Sequence, residues 1–232
     1  MINAFAVLKD LPGYISLFFE NTVIAAIIWF YFSSRSKFVL SMLICWAILQ
    51  SVLAFSGIYL DVQNMPPRMV LLGIAPTLVL MIFLFSTKAG RAFIDSLNFK
   101  TLTYFHTIRI PVEIALAILF HYGVLSVYMT YEGTNFDLFS GLTAPVVAYL
   151  CFGKTFIKTR VLLAWNIICL LLLLNVVITS ALAVPFPFQQ LSFEQPNIAI
   201  LYFPFSLLPT MVVPLVLFAH LAAIYRLWRT NN

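Results

Sequence analysis

The fold is decided by residues 21–50, which read NTVIAAIIWFYFSSRSKFVLSMLICWAILQ. Two long apolar runs are separated here by SSRSK, a short polar turn that contains Arg35 and Lys37. An apolar run of roughly 20 residues is long enough to cross the hydrocarbon core of a bilayer as a helix. The segment therefore predicts two membrane helices joined by a short basic loop.

The composition extends this prediction to the whole chain. Of the 232 residues, 62% are hydrophobic and only 9% are charged, whereas a soluble domain carries about 25% charged residues. Too few ionised groups remain to cover a water-soluble globule or to keep a chain disordered. The 13 Lys and Arg residues form no patch that would bind nucleic acid. The composition indicates a multi-pass membrane protein.

Seven apolar stretches predict an all-α bundle of seven transmembrane helices, with residues 1–232 forming a single domain. The approximate spans are 14–33, 38–60, 68–87, 101–130, 138–153, 161–184 and 199–225. Residues 88–100 carry apolar and polar positions at helical spacing. This pattern favours a short helix in the membrane interface over a plain loop.

The basic residues predict the orientation of the bundle. Ten Lys and Arg residues follow the first, third, fifth and seventh spans, and only Lys9 and Arg68 lie on the opposite side. By the positive-inside rule, the N-terminus is outside and the C-terminus is in the cytoplasm. The first apolar run is too long for a cleavable signal peptide and is interpreted as an anchor. We expect an integral protein of a bacterial-type inner membrane or a plasma membrane.

No catalytic or cofactor motif is present. The chain has no GxSxG, Walker or dinucleotide-binding pattern, and the seventh span has no lysine that could hold retinal. Cys45, Cys151 and Cys169 fall within spans at spacings that match no metal or redox motif, so we interpret them as packing thiols. No cofactor is predicted.

Polar side chains inside the spans are the candidates for a function, because they are costly in lipid and usually face the bundle interior. With a rise of 1.5 Å per helical residue, the spans bring polar groups to a similar depth in the outer half of the membrane. The candidates for a binding pocket are Glu20, Gln50, Thr77, His121, Asn175 and Thr210. If Glu20 and His121 meet, they can exchange a proton.

A second group of polar residues lies toward the cytoplasmic side. His106, Arg109 and Glu113 share one face of the fourth span, where Pro111 predicts a kink, and His220 lies at comparable depth. One interpretation is an Arg109–Glu113 pair that stabilises the kinked helix end. The alternative is a metal site of His106, Glu113 and His220, since two imidazoles and a carboxylate suit zinc or iron. No HExxH-type spacing supports the metal, so the pair is favoured.

The outer loops carry two further predictions. Residues 132–137, EGTNFD, favour a tight turn with a helix cap at Asp137 over a calcium site. Residues 185–197 contain three phenylalanines and predict an ordered lid or a re-entrant loop. The last span contains Pro204, Pro209 and Pro214 at intervals of five, and we expect it to be bent or partly unwound.

Two spans contain similar sequences. The third reads APTLVLMIFLF from Ala75, and the seventh reads LPTMVVPLVLF from Leu208. A parallel repeat of three spans on each side of a linker span would place both in equivalent positions, as occurs in some transporters. This layout is similar to that of the SWEET sugar transporters in topology alone, since no motif of that family is present.

These observations support three hypotheses about function. The leading one is a small-solute carrier or ligand-binding bundle with a polar pocket in the outer half of the membrane. The second is a membrane-embedded enzyme that acts on a lipid or quinone through His106, Glu113 and His220, with or without a metal. The third is a seven-helix receptor or a non-catalytic assembly subunit. The expected partners are the bilayer and a small molecule, and not nucleic acid.

Overall fold

The computed structural model describes residues 7–8, 10–152 and 159–231. Regular structure in these ranges is helical, and they contain no β-strand. The described chain is therefore an all-helical bundle, as the composition predicts. Lys9, Lys154 and Lys158, which contribute to the predicted orientation, lie outside the described residues.

We label nine α-helices in chain order. They are α1 Gly13–Ser34, α2 Lys37–Phe55, α3 Ala75–Ser86, α4 Lys88–Ser96, α5 Phe99–Phe105, α6 Arg109–His121, α7 Asp137–Phe152, α8 Thr159–Ala183 and α9 Val213–Asn231. A π-helical turn precedes α3 at Val70–Ile74 and α9 at Leu208–Val212. A 3-10 turn, His106–Ile108, joins α5 to α6 just before Pro111, where the sequence predicts a kink.

Five helical segments of the described chain are long and apolar enough to cross a membrane. They are α1, α2, the α5–α6 segment, α8 and α9 with its π-helical turn. The bent segment of α3 and α4 makes a sixth if it is counted as one span, and α7 is a shorter apolar helix. The chain is thus a multi-pass bundle with five or six candidate spans, and seven full-length spans are not confirmed.

Two predicted spans end earlier than expected, each close to a glycine with positive φ. Gly57 follows the end of α2 with φ 74°, and Gly123 follows the end of α6 with φ 76°. After α6, the amide of Val124 donates to the carbonyl of Leu119 at 3.2 Å, which is the hydrogen bond of a Schellman turn. Glycine adopts this conformation without steric cost. Each helix therefore stops inside a run that is apolar enough to continue it.

The chain bends by 94° between α3 and α4. Gly90 lies against the backbone at the end of α3, where a Cβ would be 2.3 Å from the carbonyl oxygen of Leu84. Nη1 of Arg91 donates to the carbonyls of Phe85 at 3.1 Å and Ser86 at 3.0 Å. The bend is therefore stabilised by the close approach that Gly90 allows and by the hydrogen bonds of Arg91 to the last carbonyls of α3. Helix α4 lies within residues 88–100, where the sequence favours a short helix.

Helix α1 is mostly apolar and buries one face. The buried residues recur at intervals of three and four and include Ile15, Phe19, Val23, Ala26 and Phe30. The ring of Phe19 lies 5.4 Å from that of Phe205, and the ring of Phe30 lies 5.9 Å from that of Phe218 in α9. The other face of α1 remains exposed, which suits a helix that contacts lipid.

The segment 185–197 is held in place by amide side chains. Nε2 of Gln195 donates to the carbonyls of Phe120 at 2.9 Å and Leu125 at 2.6 Å. Oδ1 of Asn197 accepts from the amide of Ser126 at 2.8 Å. The segment expected to form an ordered lid is thus attached to the end of α6 and to the residues that follow it.

Candidate functional site

An arginine and an aspartate form an ion pair inside the bundle. Nη1 of Arg109, at the start of α6, lies 2.6 Å from Oδ1 of Asp137, at the start of α7, and the side chains are only 3% and 8% exposed. The amide of Asp137 donates to Oδ1 of Asn135 at 2.8 Å. Asn135 therefore caps the start of α7, and Asp137, the predicted cap, is used for the ion pair instead.

The pair lies far from the end of α6. Arg109 is twelve residues from His121, so the ion pair lies roughly 18 Å along α6 from its C-terminal end. Asp137 shares this level, and α7 therefore begins inside the bundle. Residues 122–136 connect the end of α6 to the start of α7, and we call them the returning segment. The span predicted at 138–153 is expected to start at the outer surface, and the ion pair places its start deeper.

Glu113 is bound by an amide and not by a cation. Nδ2 of Asn135 lies 2.7 Å and 2.8 Å from the two carboxylate oxygens of Glu113, and it also donates to the carbonyl of Met129 at 2.9 Å. Among the described residues, the ion pair of Arg109 is with Asp137, so the predicted Arg109–Glu113 pair does not form. The reason is that α7 begins beside Arg109, while Glu113, one turn along α6, meets the returning segment.

His220 of α9 is the second partner of the guanidinium. Its Nε2 lies 2.8 Å from Nη2 of Arg109. A guanidinium can only donate hydrogen bonds, so Nε2 accepts and the ring hydrogen is on Nδ1. Nδ1 in turn lies 3.0 Å from Oδ1 of Asn166 in α8, which accepts. These hydrogen bonds assign His220 as the neutral tautomer and link α6, α7, α8 and α9 through Arg109.

His106 completes the group by stacking on His220, with ring centroids 3.8 Å apart and an interplanar angle of 16°. Its ring also meets that of Trp165 edge-on at 5.6 Å. Nδ1 of His106, Oγ1 of Thr107 and Nε of Arg109 are buried without a hydrogen-bond partner in the described part of the chain. Buried polar atoms are normally paired, so these three atoms are exceptions to that rule.

The structure brings together three residues of the second predicted group, His106, Arg109 and His220, and places the fourth, Glu113, one turn further along α6 beside Asn135. We call His106, Arg109, Glu113, Asp137 and His220 the charged cluster. No group of three or more His, Cys, Asp or Glu residues within the described ranges is arranged to hold a metal ion. The carboxylate of Glu113 is bound by Asn135 and not placed beside the imidazoles, so the metal interpretation of His106, Glu113 and His220 lacks its third ligand.

Three of the six residues predicted for the outer pocket lie near one another. Gln50 is buried, accepts a hydrogen bond from the hydroxyl of Tyr59, and donates to the carbonyl of Leu72 at 3.1 Å. Thr77 and Thr210 line one cavity between α2, α3 and α9. These polar groups lie where the two π-helical turns meet.

The other three residues lie elsewhere. The side chain of His121 is 62% exposed and lies 3.5 Å from Glu132. Asn175 donates to the carbonyl of Thr134 in the returning segment at 2.9 Å. Glu20 is half-buried on α1. None of these three is among the residues that line the cavity beside Thr77 and Thr210.

Asn135 is not among the candidate site residues predicted from the sequence, which places Asp137 at the end of an outer loop. The pattern Asn-Phe-Asp at 135–137, directly before an apolar run, is a signal for the start of a helix. It identifies the capping residues but not their depth, because a capping pattern is the same at a surface and inside a bundle.

No protein-family model matches this chain, no curated protein matches it, and no solved structure matches it.

Proposed function

We propose that this chain is a seven-span membrane carrier for a small polar solute, with transport coupled to a proton bound at the charged cluster. In this proposal, the N-terminus is outside and the C-terminus is in the cytoplasm. Helices α3 and α4 together provide the third span, and α7 with the returning segment provides the fifth.

The observation that carries the proposal is the balance of charge in the cluster. Glu113 and Asp137 are both buried, and among the described residues the cation paired with them is Arg109, through Asp137. With His220 in its neutral tautomer and His106, whose Nδ1 has no acceptor among the described residues, also neutral, two carboxylates and one cation leave one negative charge in excess. Burying an uncompensated charge costs several kcal/mol. A proton or a cationic solute that neutralises Glu113 removes this cost, and intramembrane Asp, Glu and His residues are typical of proton relays in transporters.

The start of α7 inside the bundle supports a transport function. Non-helical backbone at membrane depth is tolerated where it is buried in protein or lines a cavity. Discontinuous helices with ends at the middle of the membrane build the substrate and ion sites of many transporters. Asn135 and Asp137 occupy such a helix end and contact Glu113 and Arg109 directly.

Proteoliposomes loaded with a pH-sensitive dye test this proposal with named probes. Amino acids, sugars, nucleosides and carboxylic acids are added to the outside, one class at a time, while the internal pH is followed. We expect one class to change the internal pH in liposomes that contain the protein and not in empty ones. If no class produces a response, the proposal of a proton-coupled carrier is wrong.

Two glutamine variants locate the site. Glu113→Gln keeps the shape of the side chain but removes the carboxylate, so we expect the solute-driven pH change to be lost. Glu20→Gln is the matched control, because Glu20 lies on α1 outside the cluster, and we expect it to keep the response. If Glu20→Gln loses the response and Glu113→Gln keeps it, the solute binds at the outer polar pocket predicted from the sequence and not at the charged cluster.

A second candidate is a receptor or a non-catalytic assembly subunit. The close packing of the cluster favours it, because all five side chains are buried and each of the two carboxylates already has a partner. In that case the Glu113→Gln variant changes the free energy of unfolding, and no solute changes the internal pH.

A further inference from the structure

The side-chain amide of Asn135 has its orientation fixed by two backbone groups. Its Oδ1 accepts from the backbone amide of Asp137 at 2.8 Å, and its Nδ2 donates to the carbonyl of Met129 at 2.9 Å. A backbone amide can only donate and a carbonyl can only accept, so the oxygen and nitrogen ends of the side chain cannot be exchanged. The side chain is 1% exposed. Its nitrogen end therefore faces Glu113, and its oxygen end faces the start of α7.

The chain that leads to Asn135 is compact. The backbone amides of Gly133 and Asn135 both donate to the carbonyl of Thr130, at 3.0 Å and 3.3 Å. Oγ1 of Thr130 donates to the carbonyl of Val127 at 3.0 Å, and a Cβ at Gly133 would lie 2.3 Å from that same carbonyl oxygen. Asn135 is thus held between α6 and α7 by the backbone hydrogen bonds of the returning segment as well as by its own side chain.

The two carboxylates of the charged cluster have partners of different charge. Asp137 is paired with the guanidinium of Arg109, whereas both oxygens of Glu113 face the neutral Nδ2 of Asn135, at 2.7 Å and 2.8 Å. An amide N–H binds a protonated carboxyl group as well as a carboxylate, because the protonated group keeps an oxygen that accepts. The bond to the carboxylate is roughly twice as strong. Glu113 can therefore take up a proton and keep its partner, through a weaker hydrogen bond.

The other titratable groups of this region are arranged around Arg109. Arg109 and Asp137 are the charged residues whose fields reach Glu113 from α6 and α7. On α8 and α9, Cys169 and His220 lie beside Arg109. Nε2 of His220 accepts the hydrogen bond from the guanidinium, so a second proton on this ring would break that bond. A proton on Glu113 breaks none of the hydrogen bonds that join the cluster.

We propose that Asn135 is a positioning residue that couples the protonation of Glu113 to the first turn of α7. This coupling rests on the proposed function, which places a proton at Glu113. The proton forms an O–H bond with one carboxylate oxygen, and the hydrogen bond from Nδ2 of Asn135 weakens. Because the same side-chain amide caps α7, the change reaches the backbone amide of Asp137, whose side chain holds Arg109. One neutral side chain thus connects the proton site to the ion pair.

Nuclear magnetic resonance of the full-length chain in detergent micelles tests this coupling without a solute. The protein is produced with isotope-labelled aspartate, and the backbone amide signal of Asp137 is followed from acidic to mildly alkaline pH. We expect the wild-type signal to shift along one titration curve. Glu113→Gln removes the titrating group, and Asn135→Ser keeps an oxygen for the cap but has no N–H to bind Glu113. We expect both variants to lose most of the shift.

Asn98→Ser is the matched control, because it makes the same substitution at another helix cap. Oδ1 of Asn98 accepts from the backbone amide of Thr101 at the start of α5, and the hydrogen bonds of this side chain in the described chain involve no carboxylate. We expect Asn98→Ser to keep the full shift of the Asp137 signal. If Asn135→Ser does not fold, wild-type protein with isotope-labelled asparagine replaces it. The side-chain amide of Asn135 should then shift with the same midpoint as the backbone amide of Asp137.

Three results would overturn the coupling. They are a wild-type Asp137 signal that does not change with pH, a full shift in Glu113→Gln or in Asn135→Ser, and different midpoints for the two wild-type signals. A failure of the proposed function looks different, since it is measured as the absence of a solute-driven pH change in proteoliposomes. If that response is absent while the Asp137 signal shifts as expected, the carrier proposal is wrong and the coupling through Asn135 is retained.

Discussion

Thr210 packs against Gly73 where the two π-helical turns meet. A Cβ at position 73 would lie 2.4 Å from Cγ2 of Thr210 and 3.2 Å from its Cβ. Gly73 lies in the turn before α3, and Thr210 lies in the turn before α9. Pro76 follows the first of these turns, and Pro209 lies within the second. Each proline lacks a backbone N–H donor, which favours such irregular turns. The second Pro-Thr segment is therefore in contact, through Thr210, with a glycine just before the first one.

We expect Gly73→Ala to lower the free energy of unfolding by about 1–3 kcal/mol, because the added methyl group overpacks this contact. Thr210→Ser removes Cγ2, so the double variant Gly73→Ala/Thr210→Ser should recover most of the loss. Gly13→Ala is the control, since a Cβ there meets nothing within 4 Å. Denaturant unfolding in detergent measures all four proteins. An equal loss in Gly73→Ala and in the double variant would contradict the contact.

The sequence predicted the helices better than it predicted their depth. Apolar runs identify α1, α2 and α8 because a membrane helix needs little more than length and hydrophobicity. Polar residues within the fourth and seventh spans, such as Arg109 and His220, identify most of the charged cluster, because an ionisable residue in an apolar run needs a partner. The partner itself was predicted wrongly for Arg109.

The error has a physical origin. Glu113 is four residues from Arg109, and side chains at this spacing share one face of a helix. Asp137 is 28 residues away, and its proximity depends on the returning segment, which is stabilised by tertiary hydrogen bonds such as that between Asn135 and Glu113. A local pattern in a single sequence contains no information about such long-range contacts.

The Arg109–Asp137 pair predicts strong coupling between two substitutions. Asp137→Leu leaves the buried guanidinium without its carboxylate, and we expect the free energy of unfolding to fall by about 3–5 kcal/mol. The double variant Arg109→Leu/Asp137→Leu removes both charges and should lose much less than the sum of the single variants. Breaking the exposed pair of Arg229 and Asp95 with Asp95→Asn should cost no more than about 1 kcal/mol. Additive losses in the double-mutant cycle would show that the two residues do not interact.

Tyr59, which follows the C-terminal end of α2, predicts that the stability of the protein depends on pH. Burial raises the pKa of Tyr59 to about 12, compared with an ordinary value of about 10. Because the pKa of Tyr59 is higher in the folded protein, its contribution to the free energy of unfolding is complete below the pKa of tyrosine in the unfolded chain. That contribution is lost as the pH rises through the pKa of Tyr59 in the folded protein. We therefore expect the stability difference between wild type and Tyr59→Phe to shrink between pH 10 and pH 12.

At neutral pH, Tyr59→Phe should lower the free energy of unfolding by about 1–3 kcal/mol, because Oε1 of Gln50 loses its donor. Tyr149→Phe changes a tyrosine that is 71% exposed and serves as the control for both measurements. A difference between wild type and Tyr59→Phe that stays constant through the alkaline range would contradict this role of the hydroxyl.

The returning segment can be tested by cysteine labelling. In a background with Cys45, Cys151 and Cys169 replaced by alanine, Glu132→Cys and Asn135→Cys place thiols three residues apart. The side chain of Glu132 is 39% exposed, whereas Asn135 is 1% exposed. We expect a membrane-impermeant maleimide to label Glu132→Cys in the folded protein. Asn135→Cys should react only after denaturation.

Ser140→Cys provides a second buried position that is independent of the capping side chain. Ser140 is fully buried one turn into α7, and the substitution hardly changes the size of the side chain, so the fold is retained even if Asn135→Cys disturbs it. A surface loop would expose both ends of the segment to the reagent, because no helix would lie between them and water. Rapid labelling of Ser140→Cys and Asn135→Cys in the folded protein would therefore place the start of α7 at the surface and remove the charged cluster from the bundle interior.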